Sequence, residues 1–275
     1  MLPKRRRIAS RAFIVLLTLT IAQGIRAETV ALHPVADTTL IQVAPDANMG
    51  GSDFFNAGTA GNGNRNRGLM QFSLLDAIPP GSTILNAFLT LDIVHQPGVD
   101  LTTGTFTLRR VLVSWGEGNK LPAEEGSPGL GAPATDGEAN WVFRFVGGPA
   151  WSVPGGQNGA DFSAVVSSTA YVYGLGDPVE FESTPNLTAD VQAWLDDPQS
   201  NHGWMLTSED ERIRKTARGF ASSEDPGGGP TLMVEFTPVP EPCVLTLLST
   251  GLVFLLGWRR GSVGQQAAWW WHRHC

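Results

Sequence analysis

The chain has 275 residues, of which 32 are Gly and 19 Pro, and only 16% are charged. Its formal net charge is −7, and between Glu28 and Pro242 ten basic residues stand against all 26 acidic ones, which argues against nucleic acid as a partner. Both cysteines, Cys243 and Cys275, sit near the C-terminus, so the body has no disulfide framework or Cys-based zinc site and must fold on its own core.

In chain order, residues 1–27 read as a secretory signal peptide. Lys4–Arg7 form the positive start, Ala12–Ala22 the short apolar stretch, and Ile25-Arg26-Ala27 places a small residue before a cut that would leave Glu28 first. An uncleaved N-terminal anchor is the alternative. Both readings export the body across the inner membrane.

From there the pattern is short alternating runs broken by turn residues. Strands are expected at Thr29–Leu32 and Thr39–Val43, then a Gly/Asn-rich loop over Asp46–Arg67. Further strands are expected at Gly68–Leu74, Ile84–Val94, Thr105–Val113, Trp141–Val146, Val165–Gly174 and Pro178–Glu182. Ser114–Glu138 and Pro149–Gly159 read as loops. Leu187–Leu195 breaks the pattern: Val191, Trp194 and Leu195 share a helical face, Thr188 is a candidate N-cap, Asp190 falls in the first turn and Pro198 stops the helix. Strands at Trp204–Thr207, Ala217–Ser222 and Thr231–Phe236 complete a body spanning 28–237. About ten strands and one short helix predict an all-β fold, a single jelly-roll-like β-sandwich.

The tail, 238–260, is a proline-rich spacer followed by sixteen uncharged residues, Cys243–Trp258, and then Arg259-Arg260. As a helix this run would rise about 24 Å against a hydrocarbon core of about 30 Å. Trp258 at the headgroups and snorkelling arginines make up the difference and predict a C-terminal transmembrane helix with its arginine end cytoplasmic. Pro240, Glu241, Pro242, Arg259 and Arg260 resemble the PEP-CTERM sorting signal of Gram-negative bacteria that make exopolysaccharide. That resemblance implies an exosortase as a partner and a location at the cell surface or in the extracellular matrix. The chain departs from that pattern by continuing through 261–275, which ends Trp269-Trp270-Trp271-His272-Arg273-His274-Cys275. This cytoplasmic or interfacial tail is either an aromatic membrane patch or a segment without a selected role.

Short matches across Asp37–Phe236 suggest a second family. They include Asn64–Phe72, Ile84–Asp92, Trp115-Gly116-Glu117-Gly118, Leu187–Trp194, Asn201-His202-Gly203-Trp204 and Pro230-Thr231-Leu232. Together these resemble a DNRLRE domain, a β-sandwich of secreted proteins. Some members are carbohydrate-binding modules attached to polysaccharide-degrading enzymes. The resemblance implies binding to an extracellular polysaccharide. Ala132–Trp141 and Trp151–Gly156 resemble a subgroup with an Asp after the second Gly, where this chain has Gln157.

Catalytic signatures are missing from the sequence. The five histidines lack metal-ligand spacing apart from the terminal pair, and there is no nucleophile elbow or phosphate loop. Pairs such as Glu124-Glu125 and Asp196-Asp197 are what any acidic surface offers. A non-enzymatic binding role is therefore expected, with a structural matrix or adhesion protein as the rival and a polysaccharide lyase or hydrolase as the third class. Trp115 and Trp151, in or beside loops, are the candidate sugar platforms, ahead of Trp141 and Trp204; the competing role for each is to plug the core. For an acidic polysaccharide, Arg65, Arg67, Arg109, Arg110, Arg212, Arg214, Lys215 and Arg218 hold eight of the ten basic residues of the body. They could equally be solvated edge charges. No cofactor is implied beyond a structural calcium, for which Asp37, Asp46, Asp53 and Asp161 supply hard oxygens.

Overall fold

The computed structural model of the chain describes residues 26–98, 100–122 and 129–239. The sorting motif, the apolar run 243–258, most of the signal segment, and Glu124-Glu125 lie outside the described residues. Among those described, no helix is long and apolar enough to cross a membrane.

The body is mostly β and entirely antiparallel in its named strands. The strands are β1 (Glu28–Leu32), β2 (Pro34–Ile41), β3 (Ala47–Asn48), β4 (Phe54–Thr59), β5 (Arg65–Phe72), β6 (Thr83–His95) and β7 (Gly104–Arg110), then β8 (Ala132–Pro133), β9 (Ser168–Val172), β10 (Pro178–Phe181), β11 (Trp204–Ser208), β12 (Arg218–Ala221) and β13 (Thr231–Thr237). One helix, α1 (Pro185–Asp196), and a 3-10 turn, Pro198–Ser200, interrupt them. Eleven strands form one curled sheet, β1-β13-β6-β12-β4-β5-β11-β7-β9 with β10 added at β6 and β2 at β5, and β3 and β8 pair as a separate two-stranded sheet.

The curl brings strands from both ends of the sheet onto one main core. Ala87, Leu89, Leu91 and Ile93 of β6 alternate with solvent-facing residues, as the period-two pattern requires, and point inward with Leu232, Val234 and Phe236 of β13. They meet Phe106 and Leu108 of β7, Met70 and Phe72 of β5, and Trp204 and Leu206 of β11. The helix adds Leu187, Val191, Trp194 and Leu195 to this core.

A second core lies on the opposite face of the same strands. Leu40, Leu69 and Met205 point outward there and are covered by Val111, Trp115, Ala139, Trp141, Trp151 and Phe162 from the long segment between β7 and β9. Where β5 and β11 meet, Gly203 sits at φ +73° with room for no side chain: a Cβ would lie 1.9 Å from the Met70 carbonyl oxygen.

Several expectations need correction. The stretch 46–67 is not one loop, because it holds β3, β4 and the start of β5. Trp141–Val146 forms no strand and contributes only an isolated bridge, Phe143 to Ala150. The helix starts earlier than expected. Thr184 caps it, its hydroxyl accepting the Leu187 N–H at 3.0 Å, with Pro185 in the first turn, so neither the Thr188 cap nor a first-turn Asp190 is realised.

Candidate functional site

The tryptophans nominated as platforms are interior. Trp115 is 8% exposed and Trp151 4%, and both lie in the second core beside Trp141. The Trp115 indole N–H donates to the His202 carbonyl and that of Trp151 to the Asn140 carbonyl, each at 2.9 Å. Trp204 is fully buried, donates to Asp190 Oδ2 at 3.0 Å and packs on Trp194 with ring centroids 4.4 Å apart. These placements assign Trp115 and Trp151 the core role, pinning the β7–β9 segment to the sheet, and take away the ring face that a sugar platform needs.

Of the basic residues, Arg65, Arg67, Arg110, Arg212 and Lys215 stand in ion pairs, and Arg109, Arg214 and Arg218 have no carboxylate partner among the described residues. Arg67 is buried, grips Glu211 with two nitrogens, and also donates to the carbonyls of Gly155 and Gly156. Arg65 lies 3.6 Å from the same carboxylate and over the Trp141 ring. Arg212 pairs with Asp210 at 2.8 Å and Lys215 with Asp100. Arg218 is not a surface group. It is buried without a carboxylate partner among the described residues, and its donors go to the carbonyls of Thr102, Tyr173, Lys215, Thr216 and Ala217. Arg109 donates to the carbonyls of Ser163 and Ala164, and Arg110 lies 3.5 Å from Asp190. Arg214 alone of the run stands exposed beside the Gly63 turn with no carboxylate partner among the described residues.

The oxygens considered for calcium are dispersed. Among the described residues, no three His, Cys, Asp or Glu side chains come together as a metal cage. Asp161 accepts the N–H groups of Ser152 and Gln157 and the Ser152 hydroxyl, so it shapes its own loop. Gln157 serves there through its backbone: its carbonyl accepts the N–H of Asp161 at 2.9 Å. Asp37 is 1% exposed and accepts the Ser223 N–H at 2.7 Å, while Glu117 accepts the Asp37 N–H at 2.8 Å. Burial pushes the Asp37 carboxyl up to about 7, against the pull of Ser223 and with the charges of Glu224 and Glu117 adding to the rise.

An exposed aromatic pair lies elsewhere, on β9 and at the residue just past its end. Tyr171 and Tyr173 are 50% and 55% exposed, with centroids 4.7 Å apart and rings inclined at 60°. They alternate with buried Ala170 and Val172, so both project from the outer face of the sheet. Hydroxyls extend that face. Tyr171 lies opposite Thr105 and its phenol is 2.8 Å from the Thr103 hydroxyl. Thr169 is exposed on the same face of β9, whereas Thr107 and Thr207, which continue its row inward, are buried with their oxygens 3.1 Å apart. Sequence reasoning passed over this pair. The signal was present: the chain has only two tyrosines, and they stand two residues apart, Tyr171 in β9 and Tyr173 just past its end.

Comparison with known protein families and with curated proteins finds no match for this chain. The β9 surface is therefore judged on its geometry. It offers an amphipathic aromatic pair with the hydroxyls of Thr103, Thr105 and Thr169 along β7 and β9, and no metal cage among the described residues.

Proposed function

We propose that the chain is an exported, non-enzymatic surface protein of a Gram-negative bacterium that binds a polysaccharide of the extracellular matrix. The observation that carries this reading is the exposed Tyr171–Tyr173 pair beside Thr105 of β7 and Thr169 of β9. A tyrosine ring packs against the C–H face of a pyranose, while hydroxyls on a fixed strand bond its edges. The curled antiparallel sheet, with one core fed from both of its ends, supports a jelly-roll-like sandwich as the finer architecture. The likeness of Asp37–Phe236 to DNRLRE domains supports the same ligand class. Export rests on the signal-like segment 1–27, and sorting by an exosortase on Pro240–Pro242 with Arg259 and Arg260.

Titration of the purified full chain with alginate, a neutral glucan and the host's exopolysaccharide, with and without calcium, tests the reading. Saturable binding to one of them is expected, and failure to bind any would overturn it. Mass spectrometry of the protein from its host tests sorting: an intact Trp269–Cys275 end would exclude processing at Pro240–Pro242.

A second reading, a structural or adhesive matrix protein, is favoured by a different face. Leu85, Phe88 and Val94 of β6 are exposed on the side away from the main core. Cross-linking to other surface proteins without glycan binding would select it.

A further inference from the structure

We infer that the Tyr171–Tyr173 surface takes a neutral glycan as a single hydrated chain, and neither a polyuronate nor a crystalline polysaccharide surface. This rests on the polysaccharide-binding reading above and names the ligand class of the same site.

Two observations carry it. The first is ring geometry. A flat crystalline face demands coplanar rings, whereas these two are inclined at 60° with centroids 4.7 Å apart. The Thr103 hydroxyl holds the Tyr171 phenol at 2.8 Å and fixes that ring in place. An inclined pair gives a stacking face to one sugar and an edge to its neighbour, which suits a chain that turns from unit to unit.

The second is charge. Arg218, which donates to the Tyr173 carbonyl, is engaged by backbone carbonyls, Lys215 by Asp100, and Arg109 of β7 by the carbonyls of Ser163 and Ala164. Around them stand exposed carboxylates without a cationic partner among the described residues. Asp177 and Glu180 lie in the turn and strand that follow β9, and Glu209 donates its N–H to the Thr105 carbonyl across β7. A uronate chain on this surface would meet like charge, and the one exposed guanidinium of the 212–218 run without a carboxylate partner among the described residues, Arg214, stands at the Gly63 turn rather than at the pair. Neutral hydroxyls meet acceptors and donors that suit them.

The test is affinity electrophoresis and calorimetry of the purified full chain. The soluble probes are a neutral β-glucan, a galactomannan and alginate, with microcrystalline cellulose in pull-down. Binding to a neutral soluble chain is expected, with alginate at least tenfold weaker at low salt. Tyr171→Ala and Tyr173→Ala should each weaken binding at least tenfold without moving the melting temperature, while Tyr171→Phe, which keeps the ring, should stay within about threefold of wild type. Alginate binding as tightly as the neutral chains, or capture by cellulose alone, would overturn the inference and leave polysaccharide binding standing. Neutral-chain binding that survives both alanine variants would overturn the assignment to this surface, and its loss in Tyr171→Phe would overturn ring stacking as the mode of binding. No binding to any probe would overturn the underlying reading itself.

Discussion

Arg67 holds both carboxylate oxygens of Glu211, with Nε 2.8 Å from Oε1 and Nη2 2.6 Å from Oε2. The same guanidinium lies 5.6 Å from the ring centroids of Trp141 and Phe162, so it joins the loop after β11 to the second core. This two-pronged geometry is available to Arg and not to Lys.

Arg67→Lys should therefore lower unfolding stability by about 3 kcal/mol, because it leaves Glu211 half-paired and the Gly155 and Gly156 carbonyls short of donors. Urea unfolding checks this. Glu211→Gln should cost less, since the Arg67 contacts with the two carbonyls remain.

Asp37 gives the pH dependence a sign. Its carboxyl titrates at an ordinary value near 3.8 when unfolded and at about 7 when folded, so the folded state holds the proton more tightly between those pH values. This group's favourable contribution is complete below about pH 4 and is lost as pH rises to 7, on the order of a few kcal/mol. The carboxylates of Glu117 and Glu224 add to the repulsion once Asp37 ionises. Asp37→Asn keeps an acceptor for the Ser223 N–H and should raise the urea midpoint at pH 8 while flattening its fall between pH 4 and 7. An unchanged slope would remove Asp37 as the cause.

The Thr184 cap is a local test. Thr184→Ala should lower stability by about 1 kcal/mol, and Thr184→Ser should restore most of it. The effect is read from thermal unfolding followed at the helix band of the circular dichroism spectrum.

Trp151 separates the core from the binding surface. Trp151→Ala should cost about 3–5 kcal/mol by opening a cavity in the second core. The folded fraction should keep its glycan affinity, because Trp151 is buried in the second core and the Tyr171–Tyr173 pair is exposed on β9 and just past its end. Denaturant melts with paired calorimetry check both halves.

Strands with one wet face were legible. In β6 the alternation of Ala87, Leu89, Leu91 and Ile93 with polar or exposed neighbours gave its span to within a residue at each end, and β13 and β10 behaved alike. β4 was missed for the opposite reason. Phe54–Thr59 is buried along its whole length and includes Asn56 and Gly58, so the run showed no alternation and its Gly suggested a loop. The expected strand at Trp141 failed because its apolar residues serve a packed loop whose backbone bonds go to nearby turns, such as the Asn140 N–H to the Phe143 carbonyl. The candidate site was hardest to see. Tryptophans drew attention by size, but large rings are what a loop needs to seal a second core, and the adjacent rings left half-exposed were the smaller Tyr171 and Tyr173.

The buried guanidinium of Arg218 has one more implication. Every acceptor found for it is a neutral backbone carbonyl, drawn from the approach to β7, the end of β9 and the turn before β12. Added salt screens exposed charge pairs such as Arg212 with Asp210 but has little hold on a dry contact between a cation and peptide dipoles. The corner beneath Tyr173 should therefore keep its slow amide exchange in brine, and its three segments should open together, as one unit, when the chain unfolds.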